Sequence, residues 1–104
     1  MKVLKEEMIL KCSAKKLWSI LSDVSRCDWV PSVKKIRLEG NCRIFEMEGV
    51  GKVKEQIFLN DDDKMKLQYS AIETKISLNH HLATMEVSPI DENKCNFSWT
   101  TEID

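Results

Sequence analysis

Three polar side chains occupy positions where the surrounding alternation of residues calls for apolar ones: Arg43, Glu55 and Tyr69. A guanidinium, a carboxylate and a phenol brought together can hold the polar end of a ligand, or transfer protons as an acid–base set. The same three groups can also form a structural ion pair with mutual hydrogen bonds in a small core. The residue types alone leave these three uses open.

The turn residues predict that the three side chains meet. A turn centred on Gly49 places Arg43 opposite Glu55, and a turn centred on Asp62 places Glu55 opposite Tyr69. In an antiparallel pair, the side chains of opposed residues lie about 5 Å apart at Cβ and share one face of the sheet. The sequence therefore predicts a polar row across three neighbouring strands.

Two further pairings extend this scheme. The Gly40-Asn41 turn places Leu38 opposite Arg43, and the turn at Asp62 places Ile57 opposite Leu67. The predicted row thus begins at Leu38 and continues through the three polar residues.

Adjacent histidines, His80 and His81, fall on the sixth predicted strand. Neighbouring strand residues point to opposite faces, so the two rings cannot bind one metal ion in regular geometry. We expect His80 to face solvent, and His81 to face inwards as a second polar contact or a base. Residues 61–63 lack the EF-hand spacing of glycine and glutamate and predict a turn. No metal or cofactor is expected.

The elements that must position these residues follow an α+β order. A first strand spans 5–12, and a helix capped by Ser13 follows, carrying Leu17, Trp18, Ile20 and Leu21 at helical spacing. A second short helix or turn around 26–30 ends at Pro31. Period-two alternation then predicts six strands as a meander: 33–39, 43–48, 52–59, 65–71, 79–88 and 94–102.

Alternation within these strands also predicts an apolar wall beside the polar row, since every second residue of a half-buried strand points inwards. The predicted wall comprises Leu38, Phe45, Val53, Ile57, Leu67, Met85 and Trp99, with Trp29 near the helix break as a further ligand-wall candidate. We expect this set to contact the apolar part of a ligand.

Composition excludes several classes of protein. At 104 residues and a formal net charge of −1, the chain reads as one domain, 1–104, with no basic field for nucleic acid. No signal-peptide core or membrane span is visible. The four cysteines have no zinc-ligand spacing, so we expect free thiols and a cytoplasmic location. No catalytic triad or nucleotide-binding motif is visible.

Residues 13–31 have the form S-A-x-x-L-W-x-x-L-x-D-V-x-x-x-x-W-x-P, and Arg43, Glu55, Tyr69 and Trp99 follow in order. This arrangement resembles the SRPBCC superfamily, which is START-like or Bet v 1-like and includes polyketide cyclase/dehydrase-type proteins. The resemblance implies a helix-grip fold: a curved antiparallel sheet around a long C-terminal helix, with an apolar cavity between them. Similar proteins bind lipids, sterols, hormones, polyketides or quinones, and some are enzymes.

The sequence departs from that pattern after its last predicted strand, where the long C-terminal helix is not seen. A partner or second copy covering the open face, a rearrangement of that face, or truncation of a longer protein would each explain this. Three functions stay open. The first is binding or transport of a small hydrophobic or amphipathic ligand. The second is cyclase/dehydrase-type catalysis by Glu55, Tyr69 or His81, and the third is a protein-interaction module or homodimer.

Overall fold

The computed structural model describes residues 2–26, 33–75 and 79–103. Its elements are β1 Lys2–Leu10, α1 Ala14–Leu21, β2 Val33–Glu39, β3 Cys42–Met47, β4 Gly51–Asp61, β5 Lys66–Glu73, β6 His81–Asp91 and β7 Lys94–Ile103. The strands form one curved antiparallel sheet in the order β1-β7-β6-β5-β4-β3-β2. The predicted α+β order and the meander from β2 to β7 are confirmed.

Helix α1 begins where the sequence predicts. Ser13 has an extended backbone, and its side chain accepts a hydrogen bond from the backbone N–H of Lys16 at 3.1 Å. This satisfies one of the free donors of the first turn. The helix buries Ala14, Trp18 and Leu21 against the sheet.

The predicted second helix is not confirmed, because residues 27–30 lie outside the described residues. Over the described ranges, α1 is the one helix present. No helix in the described part of the chain is long and apolar enough to cross a membrane.

The register between β2, β3 and β4 agrees with the prediction. Gly40, Gly49 and Gly51 all have positive φ angles at the two turns, a conformation that costs glycine little. Consequently Leu38 pairs with Arg43, and Arg43 pairs with Glu55.

The predicted register between β4 and β5 is wrong by two residues. Glu55 pairs with Ala71 and Ile57 pairs with Tyr69, whereas we expected Glu55 opposite Tyr69 and Ile57 opposite Leu67. The cause is a longer turn, which ends at Met65 with φ of 51°, followed by an irregularity between Ile57 and Leu59. A shift of two preserves the face on which each side chain lies.

The main core lies between α1 and the strands β5, β6 and β7. Leu67, Val87 and Cys95 are its most completely buried side chains. A smaller cluster of Val33, Phe45 and Val53 lies at the β2–β3–β4 end. The two clusters leave space between them on the inner face of the sheet.

Candidate ligand-binding site

A cavity of about 330 Å³ opens on the inner face of the sheet. Six strands, β2 to β7, supply its walls, and most of the lining surface is apolar. The lining residues are Arg26, Val33, Ile36, Arg43, Phe45, Met47, Glu55, Tyr69, His81, Met85, Phe97 and Trp99.

An ion pair forms the polar part of one wall. The Nε atom of Arg43 donates a hydrogen bond to Oε1 of Glu55 at 2.6 Å, and the two side chains are only 10% and 12% exposed. Their positions directly opposite each other on β3 and β4 bring the two groups together. A nearly dry ion pair with this geometry holds both side chains in fixed positions.

Tyr69 lies against the same guanidinium. The central carbon of Arg43 is 4.6 Å from the centre of the Tyr69 ring, which is within the range of a cation–π contact. Burial raises the pKa of Tyr69 well above its ordinary value and the Glu55 carboxylate raises it further, while Arg43 and Trp99 act in the opposite direction. The phenol therefore stays protonated across the neutral range.

His81 lies beside Tyr69, with ring centroids 6.4 Å apart. Its Nδ1 atom accepts a hydrogen bond from the backbone N–H of Ala71 at 2.9 Å. Only an unprotonated nitrogen can accept this bond, so the ring is neutral and carries its proton on Nε2. Burial lowers the pKa of His81, the neighbouring His80 lowers it further, and Glu55 opposes both.

His80 lies apart from the cavity, with Nε2 3.5 Å from a carboxylate oxygen of Glu102. The two adjacent histidines therefore have different surroundings, as their neighbouring positions predict. Over the described ranges, no group of three or more histidine, cysteine, aspartate or glutamate side chains is placed to hold a metal ion.

Seven of the twelve side chains proposed from the sequence line this cavity: Arg43, Glu55, Tyr69, His81, Phe45, Met85 and Trp99. Leu38 is 52% exposed and lines a separate depression together with Ile57. Val53 and Leu67 are packed inside the two apolar clusters. Trp29 lies outside the described residues.

Five lining residues are not among the twelve proposed site residues: Arg26, Val33, Ile36, Met47 and Phe97. Ile36, Met47 and Phe97 share the inward alternation of the selected residues, so the signal for them was present. Val33 lies next to an irregularity in β2, which alters the alternation there. Arg26 follows α1 and has no periodic signal.

Solved structures with the same fold come from several sources. The protein XoxI from Bacillus cereus aligns with a TM-score of 0.90 and 18% identity, over 99% of this chain and 75% of that chain. A Thermobifida fusca protein aligns with a TM-score of 0.87 and 23% identity, over 100% of this chain and 74% of that one. No curated protein matches the sequence.

Norcoclaurine synthase from Thalictrum flavum, solved with dopamine and hydroxybenzaldehyde, aligns with a TM-score of 0.80 and 20% identity. The match covers 96% of this chain and 67% of the synthase. At this identity, the likeness shows a shared fold. The family described as polyketide cyclase/dehydrase and lipid transport matches residues 1–104. The resemblance seen in the sequence is thus confirmed, and the chain belongs to the polyketide cyclase/dehydrase and lipid transport family of the SRPBCC superfamily.

Proposed function

We propose that this protein binds a small amphipathic molecule in the cavity, as a carrier or sensor. The observation that carries the proposal is the combination of a space of about 330 Å³, mainly apolar walls and one polar row. Small-molecule sites commonly combine these three properties at this size. Membership of a family that includes lipid transport proteins supports the same function.

The apolar walls supply the driving force in this proposal. Phe45 and Met85 are buried beneath the cavity, and Trp99 is 39% exposed at its side. Each square ångström of apolar ligand surface removed from water contributes about 25 cal/mol before the costs of association. An aromatic or alicyclic body would fit these walls.

The polar row would orient the ligand. Arg43 and Glu55 hold each other, so a ligand need not supply a countercharge to either. Tyr69 is held by its stacking with Arg43, and His81 by its bond to the backbone. Groups that are fixed before binding lose little conformational entropy when a ligand arrives.

Cyclase/dehydrase-type catalysis is the second candidate, and the neutral state of His81 favours it. A neutral imidazole with a defined tautomer can take part in proton transfer near neutral pH. Burial raises the pKa of Tyr69, so its phenolate is not populated near neutral pH and cannot serve as the base, and Glu55 is engaged by Arg43. We therefore prefer a carrier, and a Glu55→Gln variant that keeps binding but loses turnover would favour the enzyme.

Native mass spectrometry of the purified protein tests the proposal directly. A monomer with an adduct of defined mass, lost on mild denaturation, is the expected result. A stable ligand-free dimer or larger assembly would contradict it and favour the interaction module instead.

A matched pair of variants locates the adduct. Met47→Trp narrows the cavity and should abolish the adduct, whereas Glu46→Trp places the same side chain at the neighbouring exposed position and should retain it. Equal adduct levels in the two variants would place the ligand outside this cavity.

A further inference from the structure

The polar wall of the cavity presents hydrogen-bond donors whose direction the protein itself fixes. His81 uses Nδ1 to accept the backbone N–H of Ala71, so its proton is on Nε2. The ring lines the cavity, and Nε2 is the ring nitrogen left to interact there. A ligand atom that meets this nitrogen must be an acceptor.

Arg43 adds donors of the same kind. The Nε atom of Arg43 donates to Glu55. The two terminal nitrogens of its guanidinium form no hydrogen bond with any other described residue. No fully buried side-chain nitrogen or oxygen within those residues lacks a partner. Arg43 lines the cavity, so these terminal nitrogens are the donors that it can present there.

The charges of these groups cancel. Arg43 and Glu55 form a pair with no net charge, Tyr69 is protonated, and His81 is neutral. A carboxylate buried among them would lose its hydration without gaining an uncompensated positive charge. An uncharged oxygen would gain the hydrogen bonds at a much smaller desolvation cost.

We infer that the ligand carries an uncharged hydrogen-bond-accepting oxygen, of the ketone, aldehyde or ester class, that accepts from Nε2 of His81 beside Arg43. Its apolar body then lies against Phe45 and Met85. This inference rests on the proposed function, and it makes His81 a specificity-determining residue.

Two probes of nearly equal shape test the inference. 2-Acetylnaphthalene carries the carbonyl oxygen, and 2-isopropylnaphthalene replaces it with a methyl group. Their dissociation constants would be measured at pH 7.5 by fluorescence with the wild-type protein and with two variants. His81→Asn keeps an acceptor at the position of Nδ1 and loses the donor, whereas His81→Gln keeps a donor at the position of Nε2.

One neutral hydrogen bond contributes about 0.5–1.5 kcal/mol, so we expect His81→Asn to weaken the ketone about three- to tenfold. His81→Gln should bind the ketone within about twofold of wild type, and both variants should bind the hydrocarbon within the same limit. A His81→Asn effect of equal size on both probes would overturn the inference while the proposed function stands. If neither probe binds the wild-type protein, the proposed function fails and the inference falls with it.

The charge argument has a test that needs no variant. We expect 2-naphthoate to bind the wild-type protein at least about tenfold more weakly than the ketone, since its carboxylate would be buried beside His81 and the Arg43–Glu55 pair, whose charges cancel. Arg26, which also lines the cavity, is exposed, so water screens its charge. Binding of the carboxylate as tight as that of the ketone, or tighter, would overturn the uncharged oxygen.

Discussion

The Nε atom of Arg43 lies 2.6 Å from Oε1 of Glu55, and both residues sit at directly opposed positions of β3 and β4. The pair forms a wall of the cavity while it is almost completely withdrawn from solvent. Each charge therefore depends on the other for its main compensation. Substitution of one member of this pair should therefore lower the stability more than substitution elsewhere in the site.

Arg43→Ala should lower the free energy of unfolding by about 3–5 kcal/mol, because it leaves the Glu55 carboxylate buried without its partner. Chemical denaturation monitored by circular dichroism measures this loss.

The control is the double variant Arg43→Met, Glu55→Leu, which removes both charges and should recover most of the lost stability. An unchanged midpoint for Arg43→Ala would mean that the pair is solvated, contrary to the structure.

The bond between His81 and Ala71 predicts a dependence of stability on pH. The pKa of His81 is lowered in the folded protein, whereas in the unfolded chain it is about 6.5. As the pH falls below that value, the unfolded chain binds the proton first, so stability falls until the lowered folded pKa is reached. Glu55 raises the pKa of His81 and His80 lowers it, and the net effect is the lowering.

We expect the denaturation midpoint of the wild-type protein to decrease as the pH is lowered from 7.5 to 5.5. The decrease should be smaller in His81→Gln. His80→Gln removes a smaller contribution to the lowered pKa of His81, so it should reduce the slope less than His81→Gln does. Identical slopes for wild type and His81→Gln would show that protonation of His81 does not oppose folding.

A side-chain hydrogen bond links α1 to the turn between β4 and β5. The indole Nε1–H of the buried Trp18 donates to Oδ1 of Asp62 at 2.8 Å. Asp62→Ala should cost about 1–2 kcal/mol of stability, because the indole N–H loses a charged acceptor.

Asp63→Ala is the matched control, since Asp63 is exposed and contributes its backbone N–H to the turn. It should change stability by less than about 0.5 kcal/mol. Equal losses in the two variants would assign the effect to the turn rather than to the link with α1.

The thiols should differ in reactivity. Cys95 is fully buried, and burial raises its pKa, with Cys12 raising it further. Because the thiolate is the reactive form, Cys95 should label with N-ethylmaleimide only under denaturing conditions, as peptide mapping by mass spectrometry would show. Cys42, which is partly exposed, is the internal control and should label in the folded protein. Labelling of both at the same rate would contradict the burial of Cys95.

Short glycine turns made part of the site predictable. The turn around Gly49 determines which residues of β3 and β4 are opposed, so Arg43 and Glu55 could be paired from the sequence. The turn after Asp61 was harder, because Met65 adopts a positive φ angle that its residue type does not signal. The error displaced Tyr69 along its strand without moving it to the other face.

Other features depend on contacts that no periodicity describes. The indole of Trp18 reaches Asp62 across 44 positions of sequence, and a run of three aspartates predicts only a turn. The Nδ1 atom of His81 replaces a backbone carbonyl as the partner of Ala71, which fixes the tautomer. Alternation predicted that His81 faces inwards, but a tautomer follows from a particular hydrogen bond.

The pairing of β1 with β7 has a consequence for how the chain folds. Lys2 lies opposite Ile103, so this ladder joins segments from nearly opposite ends of the sequence. The other strands pair with neighbours along the chain, and closing a longer loop costs more entropy and slows the search. During synthesis, β1 leaves the ribosome before the other six described strands but meets its partner only after β7 has emerged. Of these seven strands, the one made earliest is thus among the last to be incorporated.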